Sequence, residues 1–169
     1  PAAPLTVALA LVNPLKAVKG VRVTVVAPDR QRSAISNTIT LYAPVYLKKI
    51  CKDVYTVDGT PTDAVFLGLK AVLTKKPDFI FSGINPSRNL AEDVHYSGTV
   101  GAAIEGAILG VPSIALSQAE SEKDFTTSMR FAQKLLTLLK KRRLPASVVL
   151  NVNVPAGIKS LDYKVTRQG

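Results

Sequence analysis

The spacing of apolar positions changes repeatedly along the chain, from the two-residue period of strands to the three-to-four-residue period of helices. Strands are predicted at Val21–Ala27, Ile39–Leu47, Val54–Val57, Asp78–Ser82, Ser113–Ser117, Val148–Val152 and Tyr163–Thr166. Helices are predicted at Leu5–Val12, Pro61–Leu73, Thr99–Leu109 and Phe125–Lys141. This alternation predicts an α/β fold, with helices on both faces of a mostly parallel sheet.

Local signals support several of these boundaries. Thr60 is placed to cap the second helix, Pro61 suits its first position, and Asp63 lies in its first turn. Gly110 follows the third helix, where a left-handed residue often ends a helix. Pro44 within Ile39–Leu47 predicts that this strand lies at an edge of the sheet.

Polar residues follow three of the predicted strands. They form the segments Asp29–Ser33, Ser82–Asn85 and the single residue Ser117. Ligands of parallel α/β sheets bind beyond the carboxyl ends of the strands. The sequence therefore predicts a site at this edge.

Each candidate residue has an ordinary structural role beside the functional one. Asn85 precedes Pro86, so it is either a turn initiator or an amide ligand of a hard cation. Ser33 lies in what reads alone as a polar turn, and it becomes a ligand only beside another ligand. His95, the only histidine, is better explained as a surface residue than as a general acid or base.

The segment Ser97-Gly98-Thr99 opens an apolar helix, and small uncharged residues follow it. Capping of the helix is the simple explanation. Because nothing bulky would block the helix N-terminus from an anion, a phosphate site is favoured.

Composition narrows the class of protein. The 169 residues suit one domain, 1–169, and the net charge is +10. Aromatic residues are few and are not interleaved with the basic runs, including the run at positions 140–143, which argues against nucleic-acid binding. Cys51 is the only cysteine, and the apolar N-terminus is too short and proline-interrupted for a membrane span, so we expect a cytoplasmic protein.

Five segments, in order, resemble the SurE survival-protein family of metal-dependent nucleotidases, which have a Rossmann-like three-layer fold. They are VVAPDRQRSAISNTITL, GTPTDAVFLG, PDFIFSGIN, NLAEDVHYSGTVGAAIEGAILGVPSIALS and LNVNVP. The resemblance covers most of the chain from Val21 onward.

The resemblance implies a divalent cation, Mg²⁺ or Mn²⁺, held in each subunit by Ser33, Asn85 and two adjacent aspartates. It implies that Ser97, Gly98, Thr99 and Asn89 bind the substrate. The implied reaction is hydrolysis of nucleoside monophosphates at the 5′ or 3′ position, with short polyphosphates as further substrates. The implied assembly is a homodimer or homotetramer.

The sequence departs from the family pattern at the aspartate pair. The family opens with a strand ending in NDDG, and NDDG does not occur in these 169 residues. Ser87 also stands where the family usually has glycine. The preferred interpretation is that the aspartates lie outside this sequence; the alternative is a non-catalytic nucleotide-binding module on the same fold.

Overall fold

The computed structural model describes residues 3–119, 124–142 and 144–167. The strands are β1 (Val25–Pro28), β2 (Leu47–Cys51), β3 (Val54–Val57), β4 (Ile80–Asn85), β5 (Ser113–Gln118) and β6 (Val149–Val154). The α-helices are α1 (Ala3–Ala10), α2 (Val12–Lys16), α3 (Pro61–Leu67), α4 (Asp93–Tyr96), α5 (Gly98–Ile108) and α6 (Thr126–Lys141). A π-helical turn, Gly68–Val72, continues α3.

The strands form two sheets of three strands each. The first has the order β1-β3-β2, with β1 parallel and β2 antiparallel to β3. The second has the order β4-β5-β6 and is parallel throughout. The predicted parallel sheet is therefore present, but it is divided between β1 and β4.

Helices cover both faces of the sheets. Leu116 of β5 packs with Leu11, at the junction of α1 and α2, and with Leu136 of α6. Its neighbour Ala115 points to the other face and packs with Val100 of α5. Adjacent strand residues project to opposite faces, so these contacts define three layers. The predicted α/β three-layer class is confirmed.

The start of α3 follows the predicted capping chemistry. The Thr60 hydroxyl accepts a hydrogen bond from the Asp63 N–H at 3.0 Å, and the Asp63 carboxylate accepts one from the Thr60 N–H at 2.8 Å. This reciprocal pair is a capping box. At the end of α5, Gly110 has the left-handed φ of 78° that favours glycine.

Two strand predictions are wrong. Within Ile39–Leu47 only Leu47 belongs to a strand, and Leu41 and Tyr42 are exposed. Instead, the Asp63 carboxylate accepts a hydrogen bond from the Thr40 N–H, and the Asp58 carboxylate accepts one from the Tyr46 N–H. Side chains thereby satisfy groups that a strand partner would otherwise have bonded.

Residues 163–166 form no strand either. Lys134 of α6 donates to the Leu161 carbonyl, and Phe131 of α6 meets the Tyr163 ring edge to face. The segment therefore packs along a helix rather than pairing with a sheet edge.

The basic runs lie mainly at exposed ends of elements. Lys140 and Lys141 occupy the last turn of α6, where cations complement the helix dipole, while Arg143 lies outside the described residues. No helix within the described ranges is both long and apolar enough to cross a membrane.

Candidate functional site

A large cleft runs between β1 and β4. Its volume is about 2010 Å³, well beyond the roughly 300–1,000 Å³ of an ordinary ligand pocket. All six site residues that the sequence identified line this cleft: Ser33, Asn85, Asn89, Ser97, Gly98 and Thr99. Its mouth is the end at which β1 and β4 reach their carboxyl termini.

The loop that follows β1 lies against the N-terminus of α5. The Ser36 N–H donates to the Tyr96 carbonyl at 2.9 Å. A side chain at Gly98 would come within 3.4 Å of the Arg32 carbonyl oxygen, and one at Gly101 would collide with the Ser36 backbone. These close approaches place the segment that contains Ser33 directly beside Ser97.

Ser97 is the N-cap of α5. Its hydroxyl oxygen accepts a hydrogen bond from the Val100 N–H at 3.2 Å, and the Ser97 O–H remains available as a donor. Gly98 and Thr99 begin the helix, so their N–H groups belong to the first turn, where no carbonyl of the same helix can reach them. The arrangement suits an anion at the helix N-terminus.

Asn85 is the last residue of β4 and is half-buried. Its Nδ2 donates to the Ser87 carbonyl oxygen within the following turn. That hydrogen bond orients the amide and leaves Oδ1 as its acceptor end. Asn85 is thus a turn residue whose Oδ1 takes no part in the hydrogen bond of the turn. The two roles that the sequence left open, turn initiator and amide ligand, are therefore compatible.

Asn89 is buried and ties the loop after β4 to the neighbouring strands. Its Nδ2 donates to the Ser117 hydroxyl at 2.7 Å, and its N–H donates to the Asn153 side chain at 2.8 Å. Asn151 and Asn153 both donate to the Asn89 carbonyl, at 2.9 and 3.0 Å. In this arrangement Asn89 positions the loop, which the sequence pattern did not indicate.

The buried carboxylate of Asp63 holds a second loop in place. Its oxygens accept hydrogen bonds from the Thr40 N–H at 2.9 Å and the Thr40 hydroxyl at 2.6 Å, besides the Thr60 N–H. Burial alone would raise the pKa of Asp63, but the hydrogen bonds from Thr40 and Thr60 outweigh it and lower that pKa. Burial, and then the nearby charge of Asp63, raise the pKa of Glu105 on α5.

Two charged residues after β1 differ in their surroundings. Asp29 forms an exposed ion pair with Arg30 at 3.0 Å, as expected for a polar turn. Arg32 donates to the Asp58 carbonyl, while its Nε is buried without a hydrogen-bond partner among the described residues. Sequence reasoning passed over Arg32, because a solvated arginine in a turn has the same pattern. His95 lies in α4 and is exposed, as predicted.

The oxygen ligands at the cleft mouth would supply only part of a divalent cation site. Ser33 and Asn85 offer neutral oxygens, whereas Mg²⁺ and Mn²⁺ sites normally include carboxylates. No cluster of three or more His, Cys, Asp or Glu side chains that could hold a metal occurs within residues 3–119, 124–142 and 144–167. These residues alone would not hold the cation.

Comparisons with known proteins agree with the sequence pattern. The family model described as "Survival protein SurE" matches residues 4–169. The chain is 48% identical over 149 residues to the 5′-nucleotidase SurE of Myxococcus xanthus, covering 87% of this chain and 57% of that protein. It is 50% identical over 139 residues to the 5′-nucleotidase SurE of Stenotrophomonas maltophilia K279a, covering 80% and 54%.

The fold agrees with that of a solved structure. The crystal structure of the SurE protein from Aquifex aeolicus superposes with a TM-score of 0.81 at 44% identity, covering 87% of this chain and 60% of that one. The chain therefore spans less than two thirds of the length of the relatives it matches.

Proposed function

The chain belongs to the Survival protein SurE family, and on that basis we propose that it acts in the hydrolysis of nucleoside monophosphates as a divalent-metal-dependent phosphatase. One observation carries the proposal. The capped N-terminus of α5 lies beside the loop that contains Ser33, at the cleft mouth that Asn85 also lines. A phosphate-binding helix end is thereby next to oxygen ligands.

The N-terminus of α5 is proposed to bind the phosphate group. Its first N–H groups and the Ser97 and Thr99 hydroxyls can donate hydrogen bonds to phosphate oxygens. Donors fixed in this way also stabilise the charge that develops during phosphoryl transfer. Gly98 and Gly101 have no side chains, which lets the loop after β1 pack directly against this end of α5.

The backbone of the Ser33 loop supports a ligand-binding role. Ala34 and Ser36 have left-handed φ values of 54° and 52°, which non-glycine residues rarely adopt. Such conformations cost free energy and concentrate at ligand-binding sites. The contacts to α5 hold this loop in the unfavourable conformation.

The metal proposal is Mg²⁺ or Mn²⁺, held by Ser33 and Asn85 together with carboxylates that the described residues do not supply. The carboxylates that the family resemblance implies, the NDDG pair, are the proposed complement. Hydrolysis of 3′-nucleotides and short polyphosphates is proposed as a further activity, because the donors identified at the mouth recognise phosphate rather than a base. A homodimer or homotetramer in the cytoplasm is proposed on the same family resemblance.

The second candidate is a non-catalytic nucleotide-binding module. This alternative requires that the full-length protein bring no carboxylate pair to the cleft mouth. On this alternative, the α5 N-terminus would bind a nucleotide phosphate without hydrolysing it.

Phosphate release by the full-length protein separates the two candidates. With a nucleoside monophosphate as substrate, we expect EDTA to abolish release and added Mg²⁺ or Mn²⁺ to restore it. Phosphate release that is unchanged by EDTA would contradict the metal proposal. Calorimetric binding of the nucleotide without any hydrolysis would support the non-catalytic module.

A further inference from the structure

The carboxyl end of the second sheet carries a row of polar residues, one on each strand. Asn85 of β4 lies opposite Ser117 of β5, and Ser117 lies opposite Asn153 of β6. Ser117 projects to the face covered by α5, because Ala115, two positions earlier in β5, packs there against Val100. Asn85 lines the cleft, whereas Asn153 lies two strands away from it.

The loop after β4 folds back over this row and is anchored there by Asn89. The Asn153 side chain pairs with the Asn89 backbone as a neighbouring strand would. Its Oδ1 accepts from the Asn89 N–H at 2.8 Å, and its Nδ2 donates to the Asn89 carbonyl at 3.0 Å. Asn151 donates to the same carbonyl at 2.9 Å, and the Asn89 Nδ2 donates to the Ser117 hydroxyl at 2.7 Å.

The anchor depends on these side chains because Asn89 is buried, although the residues on either side of it are exposed. A buried N–H or carbonyl that loses its partner is costly, and a loop can avoid that cost by moving its polar groups to water. Loss of the Asn153 side chain should therefore displace the loop rather than leave it in place.

The anchor is close enough to control Asn85, since only three residues separate Asn85 from Asn89. The Asn85 Nδ2 donates to the Ser87 carbonyl, so the orientation of the amide depends on where Ser87 lies. Ser87 lies two residues before the anchored Asn89. A shift of Asn89 would thus move the acceptor that holds the Asn85 amide.

We propose that Asn153 is a positioning residue of the phosphatase site, which acts through Asn89 and its loop to fix the Asn85 amide at the cleft mouth. The proposal rests on the proposed nucleotidase function. It gives a part in the reaction to β6, a strand that does not border the cleft.

The first test compares Asn153→Ala with Ser128→Ala in the full-length protein. The Ser128 hydroxyl of α6 donates to the Gln118 side chain of β5 at 2.7 Å, a buried hydrogen bond on the opposite face of the sheet. Both variants should lower the melting temperature by a few degrees. Only Asn153→Ala should lower kcat/KM for a nucleoside 5′-monophosphate, by about tenfold to a hundredfold, as for residues that orient ligating side chains. Equal kcat/KM values for the two variants would overturn the proposal.

A double variant tests whether Asn153 acts through Asn85. Adding Asn153→Ala to Asn85→Ala should lower kcat/KM by no more than about a further twofold, because the side chain that Asn153 positions is already gone. Losses that multiply would show that Asn153 acts by another route, and would contradict the proposal.

Two measurements do not depend on turnover. The NMR resonances of the Asn85 side-chain amide, identified by their absence in Asn85→Ala, should shift or broaden in Asn153→Ala and not in Ser128→Ala. Calorimetric titration with Mn²⁺, without nucleotide, should show binding at least about tenfold weaker for Asn153→Ala than for Ser128→Ala. Unchanged resonances, or an unchanged Mn²⁺ affinity, would overturn the assigned role of Asn153.

Failure of the proposed function has a different signature. A wild type that releases no phosphate or binds no Mn²⁺ contradicts the nucleotidase proposal, while the Asn85 resonances still report whether Asn153 positions the loop. A wild type with both properties and an Asn153→Ala variant that fully retains them contradicts only the role of Asn153.

Asn151→Ala provides the test if Asn153→Ala does not fold. It removes one of two donors to the Asn89 carbonyl from an exposed position, so it should fold and lower kcat/KM by about threefold. An Asn151→Ala variant with the kcat/KM and the Asn85 resonances of Ser128→Ala would then overturn the proposal.

Discussion

At the scale of single residues, the best-connected side chain near the site is Asp63. It accepts hydrogen bonds from Thr40 and Thr60 and so joins the start of α3 to the loop after the Ser33 segment. Its role was predicted only in part. The sequence indicated the first-turn carboxylate, but a contact with Thr40, 23 positions away, depends on how the loop folds back.

The substitution Asp63→Asn should destabilise the protein by about 2–3 kcal/mol. The Asn side chain replaces one carboxylate oxygen by an NH2 group, which would face an N–H or O–H donor of Thr40 or Thr60 instead of accepting from it. The lowered pKa of Asp63 means that the native state favours its charged form. The contribution of Asp63 to the free energy of unfolding is therefore complete above the ordinary carboxyl pKa of about 4, and it is lost as the pH falls further.

Urea unfolding at pH 7 and pH 3 measures both effects. The difference between the wild type and Asp63→Asn should shrink at pH 3. Asp78→Asn, which changes an exposed carboxylate, is the control and should alter stability by no more than about 0.5 kcal/mol. A difference that grows on acidification would contradict the assigned role of Asp63.

At the scale of elements, β4 depends on a glycine. Gly83 has a φ of 129°, a conformation that other residues rarely adopt, and a side chain there would collide with the Leu116 carbonyl of β5. The residues that flank this contact, Ile84 and Leu116, are fully buried in the core. Gly83 therefore allows β4 and β5 to remain in contact up to Asn85.

Gly83→Ala should lower the free energy of unfolding by about 3 kcal/mol or more, because of the strained φ and the collision with the Leu116 backbone. Gly157→Ala is the matched control, because Gly157 also has a positive φ, 70°, but nothing lies within 4 Å of the added side chain. It should cost only about 1 kcal/mol. If chemical unfolding shows the same loss of unfolding free energy for both variants, the close contact with Leu116 is unimportant.

Elements were predictable where the local sequence determines them. The cap at Thr60, the end of α5 at Gly110 and the strand Val54–Val57 follow from local residue chemistry and periodicity. The failed strand Ile39–Leu47 has good alternation, but a strand also needs a partner edge, and pairing is a non-local property. Ile39 and Leu41, on the apolar face of that alternation, are exposed, so alternation alone did not bury one face.

At the scale of the whole molecule, the site was easier to predict than the sheet. The carboxyl ends of parallel strands converge in any fold of this class, so the meeting of Ser33, Asn85 and Ser97 at one cleft follows from topology. The division of the sheet between β1 and β4 depends on which edges pair, and periodicity within strands carries no information about that. The basic lining of the cleft likewise arises from several separate segments.

The most direct test of the proposed nucleotidase site is the kcat/KM of the full-length protein for a nucleoside 5′-monophosphate, compared among the wild type, Asn85→Ala and Asn13→Ala. Both variants should keep the melting temperature of the wild type to within a few degrees. Asn85→Ala should reduce kcat/KM about a hundredfold or more, as expected for loss of a metal ligand, and the exposed control should leave it unchanged. An Asn85→Ala variant that retains wild-type kcat/KM would contradict the placement of the catalytic site at the cleft mouth.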